Sequence, residues 1–88
     1  MSATELKKDI KEGRLIFGTE RTLKSLKNGK LEKVYIASNC KRDVKEDINY
    51  YAKLSGIMVV ELETNNKETS VICKKPFNIS VLGLLKEK

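Results

Sequence analysis

Residues 34–57, VYIASNCKRDVKEDINYYAKLSGI, decide the fold of this 88-residue chain. The first four residues, Val34-Tyr35-Ile36-Ala37, are apolar on both alternating faces, which predicts a central strand covered on two sides. The segment Ile57–Leu62, which follows Gly56, has the same character and predicts a second strand of this kind. Strands that are covered on both faces need helices on both sides of their sheet, so this stretch predicts an α/β fold.

The residues between these two strands have the pattern of an amphipathic helix. Asp43 is followed three residues later by Glu46, which predicts a helix that begins at an Asp cap. Apolar residues then recur at i, i+4, i+7 and i+8, which is typical of a helix that buries one face: Val44, Ile48, Tyr51 and Ala52. Gly56 predicts where the helix ends.

The rest of the chain continues the alternation of helices and strands. We predict a helix from Thr4, as its cap, to Glu12, with Leu6 and Ile10 facing inward, and a strand over Arg14–Phe17. Asn65-Asn66 predicts a turn that opens a short helix through about Cys73, and Ile79–Leu85 predicts the last strand. The pattern predicts an α/β/α sandwich, and we see no linker or repeat, so residues 1–88 form a single predicted domain.

Residues 17–29, FGTERTLKSLKNG, join a predicted helix start to a row of cations. Gly18 allows the backbone to approach a partner closely, and Thr19 is a good N-cap residue. Arg21, Lys24 and Lys27 recur every third residue on one side of the helix. A helix N-terminus beside such charges suits a phosphate group, because the helix dipole, the free N–H groups and the cations all attract anions. The alternative is an ordinary capped surface helix.

Composition favours an anionic partner and gives no support to several other classes of protein. Eighteen Lys and Arg residues against twelve Asp and Glu residues give a net charge of +6 and a pI of about 9.4, which points toward nucleic acid or another anionic surface. No apolar run approaches the roughly 20 residues of a membrane-spanning helix. The residues Met1-Ser2-Ala3-Thr4-Glu5 have no signal-peptide character, so we expect a cytoplasmic protein without a membrane partner.

The sequence offers few groups for metal binding or catalysis. It contains no histidine and no Cys-x-x-Cys pair, so we expect no metal, no cofactor and no enzymatic activity. Cys40 is the one cysteine to consider as a nucleophile, because it lies beside Lys41 and Arg42, and neighbouring cations of this kind can lower the pKa of a thiol. A nucleophilic cysteine also needs a base or a phosphate-binding loop, and neither is evident. Cys40 and Cys73 are therefore expected to be free thiols in a reducing compartment.

Two segments carry a family resemblance, GTERTLKSLKNGK (18–30) and VYIASNCKRDVKEDINYYAKLSGI (34–57). With them, the chain resembles the kink-turn RNA-binding family of small ribosomal proteins. Residues 45–57, together with Asn39 and Phe77, are most similar to the large-subunit group of archaea and eukaryotes called the "thirty-e" type. The resemblance extends from about residue 6 to residue 85.

The resemblance implies a three-layer α/β/α sandwich around a four-stranded mixed sheet. In that fold the start of the second helix, the loop after the second strand and the loop before the last strand meet at one edge, which binds the sharp bend of a kink-turn RNA. Gly18 and Thr19 then correspond to the close backbone approach at the helix start. Lys24 corresponds to a cation that meets backbone phosphates, Asn39 to an amide in the loop, and Phe77 to an apolar side chain that packs on the RNA.

The chemistry of the residues agrees with these roles. Phe77 offers a stacking surface for an unstacked base, and the Asn39 amide can donate and accept hydrogen bonds. The cations of the predicted edge would attract RNA in a salt-dependent way: Lys24, Lys27, Lys41, Arg42, Lys74 and Lys75. The alternatives are that Phe77 is a core residue at the mouth of a strand and that Asn39 only caps a turn.

Two departures from the family pattern affect the predicted site. Glu20 stands where relatives carry Asn or a basic residue, and Arg21 stands where several of them have Glu. The resemblance therefore does not assign a contact with an RNA base to either residue. Ser70 and Lys74 stand where relatives usually have glycine around the fourth helix. Lys74 adds charge beside Phe77. Because it replaces a glycine, the local backbone can also differ in shape from that of the family.

The sequence therefore predicts a structural protein of the large ribosomal subunit that binds a kink-turn ribosomal RNA element. We expect it to be monomeric outside the ribosome and to contact neighbouring ribosomal proteins within it. One alternative is a kink-turn-binding protein of another ribonucleoprotein particle, such as a guide-RNA particle. Another is an enzyme or a protein–protein module on the same sandwich, since a fold does not dictate a function.

Overall fold

The computed structural model describes residues 3–86, with side chains from residue 6 onward, and helices alternate with strands throughout this range. The elements in chain order are α1 (Ala3–Glu12), β1 (Leu15–Phe17), α2 (Thr19–Lys27), β2 (Leu31–Ile36), α3 (Arg42–Ser55), β3 (Met58–Glu61), α4 (Asn66–Ile72) and β4 (Val81–Leu85). Each element predicted from the sequence is present, with bounds that differ by a few residues. The predicted domain limits 1 and 88 lie outside the described residues, whereas Thr4, the predicted cap of the first helix, lies inside α1 because that helix already includes Ala3.

The four strands form one mixed sheet in the order β1-β4-β2-β3. β4 pairs antiparallel with β1 and with β2, and β2 pairs parallel with β3. The antiparallel pairing brings the end of β1 and the end of β2 next to the start of β4, with Phe17 opposite Leu82 and Ile36 opposite Val81. One edge of the sheet therefore collects the segments that follow β1 and β2 and the segment that precedes β4.

Helices cover both faces of the sheet and bury two separate apolar clusters, which confirms the predicted three-layer sandwich. The first cluster joins α2 and α3 to the sheet and includes Leu26, Ile48 and Ala52 against Val34 and Ile36. The second joins α1 and α4 to the opposite face and includes Leu6, Tyr35, Val60, Cys73, Ile79 and Leu82. Successive residues of β2 alternate between the two clusters, as the period-2 geometry of a strand requires.

The strand within Ile57–Leu62 packs on both faces, as predicted, because Val59 packs against the first cluster and Val60 belongs to the second, but it is not a central strand. β3 is an edge strand, in which Val60 is buried while Met58 is 57% exposed and Glu61 is exposed. β4 takes the second central position instead, because it pairs on both of its sides. Gly83 fits this position, since a Cβ atom there would lie 2.9 Å from Leu31 Cδ1.

Two further predicted helix caps are wrong. The N-cap of α2 is Gly18, not Thr19, with φ 105° and ψ 146°, a backbone region that favours glycine. α3 begins at Arg42, so Asp43 lies inside its first turn, where its carboxylate still favours the helix dipole. The predicted end of α3 is confirmed, because Gly56 adopts the left-handed conformation with φ 67°. The predicted start of α4 is confirmed by Asn65, which caps it.

Candidate nucleic-acid interface

Three segments that the sequence singled out converge at the edge of the sheet where β1 and β2 end and β4 begins. The Gly18 N–H donates to the Val81 carbonyl oxygen at 3.0 Å, which joins the start of α2 to the start of β4. The Ala37 N–H donates to the Ser80 carbonyl oxygen at 2.8 Å, which joins the loop after β2 to the residue that directly precedes β4. We call this surface, formed by residues 17–21, 37–42 and 74–80, the loop edge.

A groove of about 310 Å³ opens within the loop edge. All three segments contribute to its lining, which consists of Thr19, Glu20, Cys40, Lys41, Val44 and Ser80. Glu20 and Lys41 are exposed and bring opposite charges to its rim. The groove therefore offers hydrogen-bond donors, acceptors and an apolar floor to a group inserted from outside.

Cations stand on the exposed surface at and beside the loop edge. Arg21 and Lys24 lie on the outer face of α2, and Lys41 and Arg42 lie at the start of α3. Arg42 Nε lies 3.3 Å from the Glu46 carboxylate, but both side chains remain largely exposed. An exposed pair of this kind contributes little to stability, so Arg42 can exchange its partner for another anion at small cost.

Lys27 lies away from the loop edge. It is the last residue of α2, and a helix rise of 1.5 Å per residue places it about 12 Å from Thr19 along the helix axis. Its ammonium nitrogen lies 4.9 Å from the centre of the Tyr51 ring, in a cation–π contact with α3. Lys27 can add to the long-range attraction of an anion but does not line the groove.

Phe77 is presented to solvent in the segment between α4 and β4. Its side chain is 51% exposed, so the alternative that it is a core residue is wrong. Lys75, two residues before Phe77, makes a cation–π contact, with its ammonium nitrogen 4.9 Å from the centre of the Phe17 ring at the end of β1. Lys74 has φ 57°, a left-handed backbone conformation that favours glycine.

Asn39 makes hydrogen bonds within the protein, across the loop edge. Its Nδ2 donates to Asn66 Oδ1 at 3.0 Å, and its Oδ1 accepts from the Asn66 backbone N–H at 2.8 Å. These bonds join two segments rather than closing one turn, as the alternative of a turn cap would require, and they leave one N–H hydrogen and one oxygen lone pair of the amide for a further partner. In the sequence, the pair Asn65-Asn66 predicts only the start of a helix, and no local pattern indicates the contact between Asn66 and Asn39.

The Cys40 thiol is not activated. It is partly buried in the groove lining, and burial raises its pKa above the ordinary value, although Lys45 and a hydrogen bond from the Lys41 backbone act in the opposite direction. Desolvation therefore outweighs the neighbouring cations, and the thiol lacks the lowered pKa that the weaker alternative of a nucleophilic Cys40 requires. Burial likewise raises the pKa of the Cys73 thiol, which lies in the core under α4.

The helices of the described residues are short and amphipathic. None of those within residues 3–86 has the length and apolar character that crossing a bilayer requires.

Comparison with known families gives a match over almost the whole chain. Residues 2–88 match the family described as "Ribosomal protein L7Ae/L30e/S12e/Gadd45 family". The chain is 40% identical over 82 residues to the large ribosomal subunit protein eL30 of Sulfurisphaera tokodaii. The aligned region covers 93% of this chain and 77% of that protein. It is 47% identical over 73 residues to the eL30 protein of Methanothermobacter thermautotrophicus, covering 83% of this chain and 74% of the relative.

Solved structures share the fold at lower sequence identity. A protein of unknown function from Bacillus halodurans superposes with a TM-score of 0.80 at 20% identity, covering 92% of this chain and 80% of that chain. A Giardia lamblia 15.5 kD RNA-binding protein superposes with a TM-score of 0.74 at 18% identity, covering 93% of this chain and 68% of that chain.

Proposed function

This chain belongs to the ribosomal protein L7Ae/L30e/S12e/Gadd45 family, and from that membership we propose that it is a structural protein of the large ribosomal subunit that binds a kinked ribosomal RNA element. Its most similar relatives named above are large-subunit proteins rather than enzymes, so no catalytic step is part of the proposal. Its place is the ribosome in the cytoplasm, where neighbouring ribosomal proteins are further partners. Outside the ribosome it is a monomer.

The observation that carries the proposal is the loop edge. Three segments far apart in sequence meet there through the backbone bonds from Gly18 and Ala37 to the start of β4. A kinked RNA differs from a straight duplex in that its backbone bends sharply and a nucleotide leaves the stack. A surface that combines cations, a groove and an exposed aromatic ring matches all of these features, whereas straight A-form RNA offers only phosphates and a shallow groove.

Within this proposal each part of the loop edge has its own role. Gly18, as the N-cap of α2, brings backbone close to the RNA, while the free N–H groups of the first turn, beginning at Thr19, face an anion. Lys24, Lys41, Arg42, Lys74 and Lys75 attract and contact phosphates, with Lys27 contributing at longer range. Glu20 and Arg21 stand at the rim for contacts with base edges. The groove of about 310 Å³ receives the extruded nucleotide.

Phe77 supplies the apolar contact in this proposal. Its exposed ring lies in the same segment as Lys74 and Lys75, so a base that stacks on the ring has its phosphate close to two ammonium groups. Stacking of a base on an aromatic side chain contributes about 1–3 kcal/mol and needs an unpaired face. The contact therefore favours a kinked RNA over a duplex.

Titration with two RNAs of equal length tests the binding step. The purified protein is titrated with a kink-turn hairpin and with a straight duplex at several salt concentrations. We expect tighter binding of the hairpin and a log–log salt slope that corresponds to roughly 3–5 phosphate contacts. Equal affinity for the two RNAs would contradict the recognition of a kink.

Co-sedimentation separates the ribosomal role from the alternative of another ribonucleoprotein particle. The tagged chain, expressed in the cells it comes from, should migrate with the large ribosomal subunit through a sucrose gradient. Migration with particles that contain small guide RNAs, and depletion from the large subunit, would favour the alternative.

A further inference from the structure

The orientation of the Asn39 amide is fixed by Asn66. A backbone N–H can only donate, so the Asn39 atom that lies 2.8 Å from the Asn66 nitrogen must be the oxygen. The Asn39 Nδ2 then faces Asn66 Oδ1 at 3.0 Å, as a donor must. One N–H hydrogen and one oxygen lone pair of Asn39 remain for a further partner, in a direction that the pair sets. The amide cannot flip without losing both bonds.

Asn66 also holds the segment that carries Phe77. Its carbonyl oxygen accepts from the Ile79 backbone N–H at 3.1 Å, and Ile79 follows Phe77-Asn78 in the chain. Asn66 therefore bonds through its N–H and side chain to the loop after β2, and through its carbonyl to the segment before β4. It is a single residue that ties two of the three segments of the loop edge to each other.

The helix that begins at Asn66 does not need an asparagine at this position. Asn65 already caps α4, because its side chain accepts from the Glu68 N–H at 2.8 Å while the Glu68 side chain accepts from the Asn65 N–H at 3.0 Å. Asn66 is the first helical residue, a position where its own side chain has no capping function and where alanine suits the helix. The side chain of Asn66 is thus free for the bond to Asn39.

We propose that Asn66 is a positioning residue for RNA recognition: without touching the RNA, it holds the Asn39 amide and the Phe77 segment in the arrangement that the kink requires. This inference rests on the proposed RNA-binding function and deepens it. In this arrangement the Asn39 amide has one fixed orientation toward the RNA and does not rotate freely. Removal of the Asn66 side chain should therefore weaken RNA binding through Asn39.

The test compares four variants with the wild type on the kink-turn hairpin: Asn66→Ala, Asn39→Ala, the double variant, and Asn65→Ala as the matched control. Loss of the Asn66 side chain should weaken binding about three- to tenfold, the effect of one neutral hydrogen bond. The double variant should bind no more than about twofold worse than Asn39→Ala, because the two residues act as one unit. The salt slope should not change, since no phosphate contact is lost.

The Asn65→Ala control separates positioning from the stability of α4. It removes the cap of the same helix and should lower the melting temperature more than Asn66→Ala, yet leave RNA affinity within about twofold of wild type. Asn66→Asp, which keeps an acceptor oxygen for the Asn39 amide, is an additional substitution at the same position. At a salt concentration that screens its charge, it should bind closer to wild type than Asn66→Ala.

Three outcomes would overturn the inference. The first is wild-type affinity in Asn66→Ala, and the second is an equal loss of affinity in Asn65→Ala, which would assign the effect to helix stability. The third is a double variant whose loss is the product of the two single losses, which would make Asn66 an independent contact. A wild-type protein that does not prefer the hairpin to the duplex would instead overturn the proposed function itself.

Discussion

Substitution of Phe77 by alanine separates a binding role from a packing role. Complete burial of a phenylalanine side chain contributes about 1.5–3 kcal/mol, and Phe77 is 51% exposed, so its loss should lower the free energy of unfolding by about 1 kcal/mol. If the ring stacks on RNA, the same substitution should cost about 1–3 kcal/mol of binding, or roughly 5- to 150-fold in Kd. Fluorescence anisotropy with labelled hairpin and duplex measures the binding, and urea unfolding measures the stability.

The matched control for this substitution is Tyr50→Ala. Tyr50 is also a mostly exposed aromatic residue, at 61%, but it lies well along α3 and away from the loop edge. It should leave the affinity for both RNAs within about twofold of wild type. The reasoning is refuted if Phe77→Ala weakens hairpin and duplex binding equally, or if it costs the ~3–5 kcal/mol of a fully buried phenylalanine while the folded protein binds normally.

Four further substitutions test individual sites. Lys24→Ala should weaken binding to all RNAs by a similar factor and reduce the salt slope by about one contact, and an unchanged slope would exclude a phosphate contact. Cys40→Ser should leave RNA affinity within about 1 kcal/mol, and alkylation of wild-type Cys40 should show a thiol pKa above the ordinary value because of burial. Thr22→Val should raise the free energy of unfolding by about 1 kcal/mol, as measured in urea, because the buried Thr22 Oγ1 has no hydrogen-bond partner among the described residues. Lys33→Met should lower it by about 3 kcal/mol, since Lys33 Nζ lies 3.2 Å from the buried Asp9 carboxylate, and adding Asp9→Asn should restore part of the loss.

Much of the fold follows from local patterns in the sequence. The apolar periodicity of α3 and the glycine at its end depend on residues within one helix, so the sequence alone places them correctly. The Asn65 cap with Glu68 is local in the same way. These features need no knowledge of which strand pairs with which.

The positions of the strands in the sheet depend on long-range pairing and were harder to infer. β3 has the composition of a buried strand, but β4 pairs on both sides and leaves β3 at the edge. The choice of Gly18 over Thr19 as the cap of α2 similarly depends on the bond from Gly18 to Val81 across the sheet. A short-range pattern contains no information on either contact.

The candidate site was predicted residue by residue, but its internal bonds were not. The family resemblance indicated Asn39 and Phe77, and the structure brings their segments to the same edge. Asn66 links these two segments, and the hydrogen bond from Asn39 to Asn66 joins residues 27 positions apart. No periodicity of the sequence indicates such a contact. The raised pKa of the Cys40 thiol could not be read from the sequence for a related reason, because charged neighbours are visible in a sequence and burial is not.

NMR chemical-shift mapping reports where on the protein the RNA binds, and so whether the loop edge is the RNA-binding surface. The labelled protein is titrated with the kink-turn hairpin, and the backbone amide shifts are followed for all assigned residues. We expect the large changes at residues 18–21, 38–42 and 74–80, with little change at the opposite end, at 28–30 and 54–58. Changes centred on the opposite end, or equal changes with the straight duplex, would contradict the account.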